Sequence, residues 1–458
     1  MKLPDRAAGA AALVHRLTNP RFWRSVARWR SFLRESQEWP EERLDGWQFA
    51  RLRELVEHAG VNVPYYREMF GAIGLEPGDL RDRSALAAVP TMAKEDLQDH
   101  AEDLISRVHP EAMRSYATTG GSTGTPVGFW FDNPGSAAAE RAFIGALWSR
   151  VGYREGHRTA VLRGEVVATG GPWELRPDDA QLRVSSYHLT DEWIPGLLDR
   201  IRRFGPRFIQ GYPSSLTLVA RHMVDNGEPP VAGVRALLCG SENLYDWQRT
   251  LLERAFRCRP FSWYGLSERV TLAGECEHNR TLHVFPQYAI TELVDAAGKP
   301  IERPGELGEI VGTGLTNRSM PLIRYRTQDA ATWADGPCPS CGRPYRRLER
   351  IEGRLHEFIV ASSGRPVSMT AINMHTGLFD NVRQFRFVQD TPGKIVLRVV
   401  PKASYGAADE NRIRSELAPK LAPDIELVAI EPVDEIAPAP SGKQRFLDQR
   451  LPVTLGDS

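Results

Sequence analysis

The sequence predicts an α/β protein. A large domain over residues 1–354 carries mostly parallel sheets and a β-rich subdomain at about 276–350, and a small α+β domain follows over 355–458. Three observations predict this. Between Thr159 and Trp263, short apolar runs alternate with helix-length runs: strand, glycine turn, helix, strand. That is the rhythm of a parallel sheet with crossover helices. From His283 the texture changes to closely spaced strands with hairpin turns. Past Leu355 a hairpin, a helix and a strand make a small separate fold. A chain of 458 residues has room for two or three domains and a large core.

Taken in order, residues 1–60 read as helices. Trp23, Val26, Trp29 and Phe32 fall at helical spacing, and a second helix spans Leu44–His58 until Asn62-Val63-Pro64 breaks it. An extended entry, a short helix and a turn at Pro77-Gly78 follow, then a short helix over Met92–Asp99. Asn133-Pro134-Gly135 introduces an Ala-rich helix over Ser136–Gly152. Strands are expected at Thr159–Arg163, Arg207–Gln210, Val234–Leu238 and Pro260–Trp263, and helices at Trp193–Phe204, Ser214–Asn226 and Asp246–Phe256. The Gly- and Pro-rich stretch Glu165–Asp179 reads as irregular. HVFPQYAITELVD, GELGEIVGTGL and PLIRYRTQDAATWAD supply the β-rich part. In the last domain QFRFVQDTPGKIVLRVVP is a hairpin, Asp409–Leu421 a helix and Ile425–Val433 a strand.

Composition excludes some functions. Lys+Arg and Asp+Glu both total 58, so a formal net charge of zero gives no support for nucleic-acid binding or for attraction to anionic membranes. No apolar run reaches transmembrane length, and MKLPDRAAGAAALVHRL lacks the hydrophobic run and cleavage site of a signal peptide. A cytoplasmic chain without membrane insertion is expected, its five cysteines free or metal-bound rather than paired.

The stretch YATTGGSTGTPVGFW, Tyr116 to Trp130, stands out. In Thr118-Thr119-Gly120-Gly121-Ser122-Thr123-Gly124-Thr125-Pro126 the glycines let backbone N–H groups approach an anion and the hydroxyls add donors, so the segment can wrap a phosphate chain. It is neither a Walker A loop, which needs a following Lys, nor the dinucleotide fingerprint. A flexible loop is the other reading. Polar turns at 117–126, at Gly240-Ser241-Glu242 and at 264–268 are expected on one carboxyl edge of the sheet, where ligands gather. Cys338-Pro339-Ser340-Cys341 has zinc-knuckle spacing. With Cys276 and a histidine it would make a closed Cys₃His structural zinc site pinning two hairpins. His278 is preferred for the histidine, His283 is the alternative, and reduced thiols without metal are the competing reading. Cys239 and Cys258 read as buried or incidental thiols.

By Lys443 the pieces form an ordered set: the Thr118–Pro126 loop, YGLSE, IRYRTQD, RIEGR and PSGKQRF. That order over about residues 50–450 resembles the adenylate-forming (AMP-binding) ligases, within them the phenylacetate–CoA ligase branch, and most of all its CapK-type capsular-polysaccharide-biosynthesis group. VPYYREMF, MPLIRYRT, CPSCGR, RIEGR and NMHTGLFDNVRQF carry the narrower likeness. The resemblance implies that Thr118–Pro126 cradles the ATP β/γ-phosphates. It implies that Tyr264 of Tyr264-Gly265-Leu266-Ser267-Glu268 stacks near adenine while Glu268 holds Mg²⁺, and that Asp329 hydrogen-bonds the ribose hydroxyls. Arg354 would contact the nucleotide before the interdomain hinge. Lys443 would be the catalytic lysine, carried by a mobile terminal domain to the α-phosphate and carboxylate. Two departures stand out: Gln328 replaces the usual glycine before the ribose Asp, and Leu355-His356-Glu357 leaves the acidic hinge residue unplaced.

The implied reaction joins a small carboxylic acid to ATP and passes the acyl group to a CoA-like thiol or to an amine. The implied ligands are ATP/AMP, Mg²⁺ and CoA, and a homodimer is compatible with the sequence. The residue types alone leave other roles open: a surface acid for Glu268, a turn cap for Asp329, an ion-pair partner for Arg354, a solvated side chain for Lys443. A silent relative that binds nucleotide as a scaffold is the rival of another class. Arg163, Tyr212 and Ser241 follow predicted strands and could line the substrate pocket. Arg163 suits either a second acidic group or an ordinary ion pair.

Overall fold

The computed structural model describes residues 19–118, 127–164, 171–176, 180–354, 357–369, 376–421, 423–439 and 443–453. Contacts divide the chain into two compact units. The first comprises Pro4–Gly156 and Ser262–Arg350, the second His157–Phe261 and Ile351–Ser458 with the first three residues.

The first unit opens with helices α1 (Pro20–Ser36), α2 (Glu41–Asn62), α3 (Pro64–Ile73), α4 (Arg83–Ala87) and α5 (Lys94–Asp99). Pro64 takes the first helical position of α3, where its missing N–H costs nothing, and extended Val63 separates it from α2. Strands β1 (Arg114–Thr118) and β2 (Gly128–Asp132) form an antiparallel hairpin that leads into α6 (Gly135–Ser149). Trp29 of α1 packs on Phe143 of α6 at 5.4 Å between ring centroids.

In the second unit β3 (Thr159–Arg163), β4 (Trp173–Arg176), β5 (Gln181–Ser185), α7 (Ile194–Phe204), β6 (Phe208–Gly211), α8 (Pro213–Asp225), β7 (Ala236–Cys239) and α9 (Asp246–Phe256) follow in sequence. Strand order is β7-β6-β3-β5-β4, parallel except for β4. The strands are buried apolar runs, as a sheet covered on both faces requires. The helices supply one core with them, through Leu162, Ile201, Leu216, Leu237 and Leu252.

Strand β8 (Arg259–Gly265) carries the chain back to the first unit, where β9 (Leu272–Gly274), β10 (Leu282–Val284), β11 (Ala289–Val294), β12 (Leu307–Gly314), β13 (Tyr325–Trp333) and β14 (Arg347–Arg354) follow. The order β11-β12-β13-β14-β10-β9-β8 is the expected β-rich part, and its pairs β11–β12, β12–β13, β14–β10, β10–β9 and β9–β8 are antiparallel. Arg324 of the MPLIRYRT motif is 2% exposed. It pairs both oxygens of Glu292 and donates to the carbonyls of Ala87, Val89 and Gly298, tying the helical layer to the strands.

The remainder of the second unit holds β15 (Phe358–Val360), β16 (Pro366–Ser368), β17 (Val382–Thr391), β18 (Lys394–Pro401), α10 (Ala407–Leu417), β19 (Glu426–Pro432) and β20 (Leu447–Gln449). Its four-stranded sheet has the order β19-β18-β17-β20 around Phe385, Phe387, Leu397 and Ile413.

Two expectations are corrected. The stretch read as irregular contains β4, and β5 follows it, both unpredicted. Their apolar side chains alternate with polar or charged ones, so the continuous apolar signal of an interior strand is missing. The Thr118–Pro126 loop does not leave the parallel sheet: it joins β1 to β2 in a separate hairpin. Thr118, paired with Gly128, is its last described residue. Thr119, Gly120, Gly121, Ser122, Thr123 and Gly124 lie outside the described residues, as does the N-terminal segment read for a signal peptide.

Candidate active site

In the first unit the YGLSE and YRTQD motifs meet. Tyr264 lies near the end of β8, and a turn closed by the Arg269 amide on the Leu266 carbonyl (3.2 Å) presents Ser267 and Glu268 beyond Gly265. The Tyr264 hydroxyl donates to Asp329 Oδ2 at 2.7 Å. This fixes the ring by its polar end, a contact the stacking role implied for Tyr264 does not include. Glu268 is half-buried, and its Oε1 accepts from the Tyr325 hydroxyl at 3.4 Å. Two residues of β13, Tyr325 and Asp329, thus brace the two ends of the YGLSE turn.

Asp329 owes its position to a bulge. The β12–β13 register runs from Glu309↔Ala330 to Val311↔Arg326, so Ile310 alone faces Thr327–Asp329. Thr327 Oγ1 donates to the Ile310 carbonyl (2.8 Å), the Asp329 amide donates to Thr327 Oγ1 (3.1 Å), and the Gln328 amide donates to Glu309 Oε1 (3.0 Å). Arg326 holds Glu309 from the other side through Nε at 2.9 Å. Gln328 has φ = +62°, the left-handed region that suits the glycine it replaces. The turn is kept despite the substitution, and its backbone amide is anchored by a carboxylate.

In the second unit the Gly240-Ser241-Glu242 turn ends β7. Ser241 also has a positive φ of 67°, a strained conformation that turns its carbonyl outward. Lys443 Nζ donates to that carbonyl at 2.7 Å and lies 5.3 Å from the centroid of the Tyr212 ring. Ser214, at the start of α8, donates its amide (2.9 Å) and hydroxyl (3.0 Å) to the two Glu242 oxygens. The Gln444 amide reaches the same Ser214 Oγ at 3.3 Å. Desolvation pushes the Glu242 carboxyl up to about 7, while the Lys443 charge and the Ser214 donors pull it down. Arg354 ends β14. Its amide donates to Glu357 Oε2 at 3.3 Å. Arg163 ends β3, one residue past Leu162, whose carbonyl accepts from the Tyr212 amide at 3.4 Å. The Arg163 Nε is enclosed and has no hydrogen-bond partner among the described residues.

The cysteines converge as expected. Ligand atoms of Cys276, His283, Cys338 and Cys341 all lie within 4.8 Å of one another in the first unit. The preference for His278 is corrected. Its contribution to this cluster is an amide N–H to Cys276 Sγ (3.4 Å), joined by the Asn279 amide (3.1 Å). His283 lies on β10, with Nδ1 on the Thr281 carbonyl (3.1 Å) and Nε2 3.3 Å from Cys341 Sγ. A backbone contact orienting one ring nitrogen while the other faces three thiols fits a tetrahedral zinc site.

Sequence reasoning missed Ser214, Gln444, Tyr325 and Glu309. Ser214 follows Tyr212-Pro213, a helix-start signal that marked α8 without disclosing its partner. Tyr325 and Glu309 belong to motif-bearing strands, but their pairing depends on register.

With this geometry in hand, comparison with known proteins places the chain. A family described as the CapK C-terminal domain matches residues 359–449. Phenylacetate-coenzyme A ligase of Pseudomonas putida is 29% identical over 322 residues, 68% of this chain and 71% of that protein. Protein CapK of Staphylococcus aureus is 23% identical over 415 residues, 87% of this chain and 88% of that one. Among solved structures, 2-hydroxyisobutyryl-CoA ligase in the postadenylation state with R3-HIB-AMP aligns with a TM-score of 0.72 over 90% of both chains at 20% identity, a likeness of fold. The ordered motifs, the α/β architecture with its terminal sheet domain and these relatives agree: the chain resembles the adenylate-forming ligases, and within them the phenylacetate–CoA ligases and CapK.

Proposed function

We propose that the protein activates a small carboxylic acid with ATP and transfers the acyl group to a CoA-like thiol. The observation that carries this is the seating of Lys443: a lysine in a Pro/Gly/Ser loop, solvated by default, instead holds the carbonyl of the strained Ser241 turn. In the first step a carboxylate oxygen attacks the α-phosphorus and the bond to the bridging oxygen breaks, releasing pyrophosphate. In the second the thiol attacks the acyl carbon, losing its proton, and AMP leaves with the electrons of the C–O bond.

Two anions must meet in the first step. Lys443 offsets that repulsion, and its release from Ser241 would free the ammonium for the α-phosphate. Asp329, fixed by the bulge and by Tyr264, accepts from the ribose hydroxyls. Glu268 suits Mg²⁺, being a half-buried carboxylate at the end of the YGLSE turn, and Mg²⁺ when bound would supply charge neutralisation on the phosphates. Thr118 and the glycine-rich residues after it serve the β- and γ-phosphates, and Arg354 the nucleotide. The terminal domain swings between the two half-reactions. An amine acceptor, for instance in surface-polysaccharide synthesis, is the second reading, prompted by the likeness to CapK.

The test is carboxylate-dependent ATP–pyrophosphate exchange with pooled aryl, fatty, amino and sugar acids, followed by CoA or amine addition. Exchange with one pool, lost in Glu268→Gln, is expected. Silence in every pool from a protein that still binds ATP would favour the scaffold reading. Lys443→Ala should lose exchange by at least 100-fold, about 3 kcal/mol, yet still consume a supplied acyl-adenylate. Equal loss of both half-reactions would overturn the role given to Lys443.

A further inference from the structure

A cavity of about 170 Å³ opens in the second unit between β5 and α7, lined by Pro172, Trp173, Val184, Leu189, Trp193 and Leu197, with Ser185, His188 and Gly196. It lies on the same carboxyl edge of the parallel sheet as the Lys443 corner. Cys239, Gly211, Leu162 and Val184 stand in one register row across β7, β6, β3 and β5. Three strand spacings therefore separate Ser185 from the Ser241 turn, about 14 Å. A compact acid reacting at Lys443 does not span that distance, so the cavity is a separate place.

Its chemistry is specific. Among the described residues no charged side chain lines it. Trp173 is stiffened by the Arg200 guanidinium, 3.4 Å above its ring, and Trp193 by the edge of His188 at 6.2 Å. Two polar atoms are unsatisfied: Ser185 Oγ, on a residue 1% exposed, and His188 Nδ1 are enclosed and have no hydrogen-bond partner among the described residues. Buried polar groups without partners are rare and costly, and two on one cavity call for a common cause. Rotation about χ1 offers the Ser185 hydroxyl to an occupant. A cavity of roughly 150 Å³ holds one six-membered ring.

We propose that this cavity binds an uncharged, ring-sized molecule bearing one hydrogen-bonding substituent, such as a phenol or aromatic alcohol. The ring lies among Trp173, Trp193 and the aliphatic walls, and the substituent satisfies Ser185 and His188. The site stands on its own, independent of the reaction proposed above. A side chain at Gly196 on the exposed face of α7 meets no atom within 4 Å, so the rim accepts a larger residue.

The experiment is fluorine NMR titration of the full chain with 4-fluorophenol, using 4-fluorobenzoate as the charged control. Saturable binding is expected, at least tenfold weaker for 4-fluorobenzoate. Gly196→Phe, capping the rim, should weaken it at least tenfold, and Ser185→Ala several-fold, both with unchanged or raised melting temperatures. No binding to the wild-type chain would mean that water alone fills the cavity and would overturn the proposal. Binding equally strong in both variants would overturn it too, by locating the phenol elsewhere.

Discussion

Gln328 holds a backbone conformation that costs a non-glycine residue about 1–2 kcal/mol, and the Glu309 carboxylate on its amide is what keeps it there. The cost is tolerated because the bulge aims Asp329. Gln328→Gly should therefore be neutral or stabilising by up to about 1 kcal/mol, the relief of strain being partly offset by a more flexible unfolded chain. Gln328→Val, whose branched side chain rejects this region, should lose about 1–3 kcal/mol and weaken ATP binding. Denaturant unfolding and ATP titration read both, and equal stability of the two variants would refute the account.

Glu242 supports a second prediction at this scale. Its carboxyl is raised from an ordinary 4.5 to about 7 by desolvation, so the folded state binds the proton more tightly than the unfolded state does. The associated stability is fully present below about 4.5 and is lost as pH rises through 7, on the order of 1–3 kcal/mol. Melting curves from pH 5 to pH 8 should fall more steeply for the wild-type chain than for Glu242→Gln. Lys443→Ala removes the charge that opposes the shift and should move the wild-type slope to higher pH.

At the scale of elements, what the sequence disclosed follows from signal strength. The parallel strands β3, β6 and β7 are continuous apolar runs bounded by turns, and helix α9 matches its expected limits of Asp246 and Phe256. β4 and β5 alternate charged and apolar side chains over only four and five residues, too short for a period to register. The topology around the glycine-rich loop was not legible, because Gly and Thr there say nothing of whether a helix or a strand follows. At Gly128 a Cβ would lie 2.0 Å from the Tyr116 hydroxyl, so a larger residue there requires the exposed Tyr116 ring to move.

The choice between His278 and His283 likewise needed the fold. Cys-x-His spacing favours His278, but the pairing of β10 with β9 and β14 sets buried His283 beside the thiols. Purified protein should carry about one zinc per chain. His283→Ala or Cys338→Ser should release it and lower the melting temperature, whereas His278→Ala should keep it. Chelation should lower the wild-type melting temperature without altering Cys239 or Cys258 reactivity. Retention of zinc by His283→Ala would reverse the assignment.

At the scale of the whole molecule, the chain leaves its first unit at Arg350, and everything from Ile351 onward packs with residues 157–261. Lys443 is therefore seated in this structure by Tyr212 and Ser241, and the next residue, Gln444, by Ser214, all residues of the unit that holds the terminal sheet. If the terminal domain swings between half-reactions, this seating is one station of the cycle, and the Ser214–Gln444 contact is a place to stop it. The Gln444 amide lies 3.3 Å from Ser214 Oγ, close enough for the pair Ser214→Cys and Gln444→Cys to form a disulfide without moving the backbone far. The Ser214 amide remains to hold Glu242. Oxidation of the double variant should leave one half-reaction at near its original rate and slow the other by at least tenfold, with dithiothreitol restoring both. Pyrophosphate exchange reads the first half-reaction, and consumption of a supplied acyl-adenylate by thiol reads the second. A locked enzyme that completes both at full rate would show that the terminal domain does its work without leaving this seat.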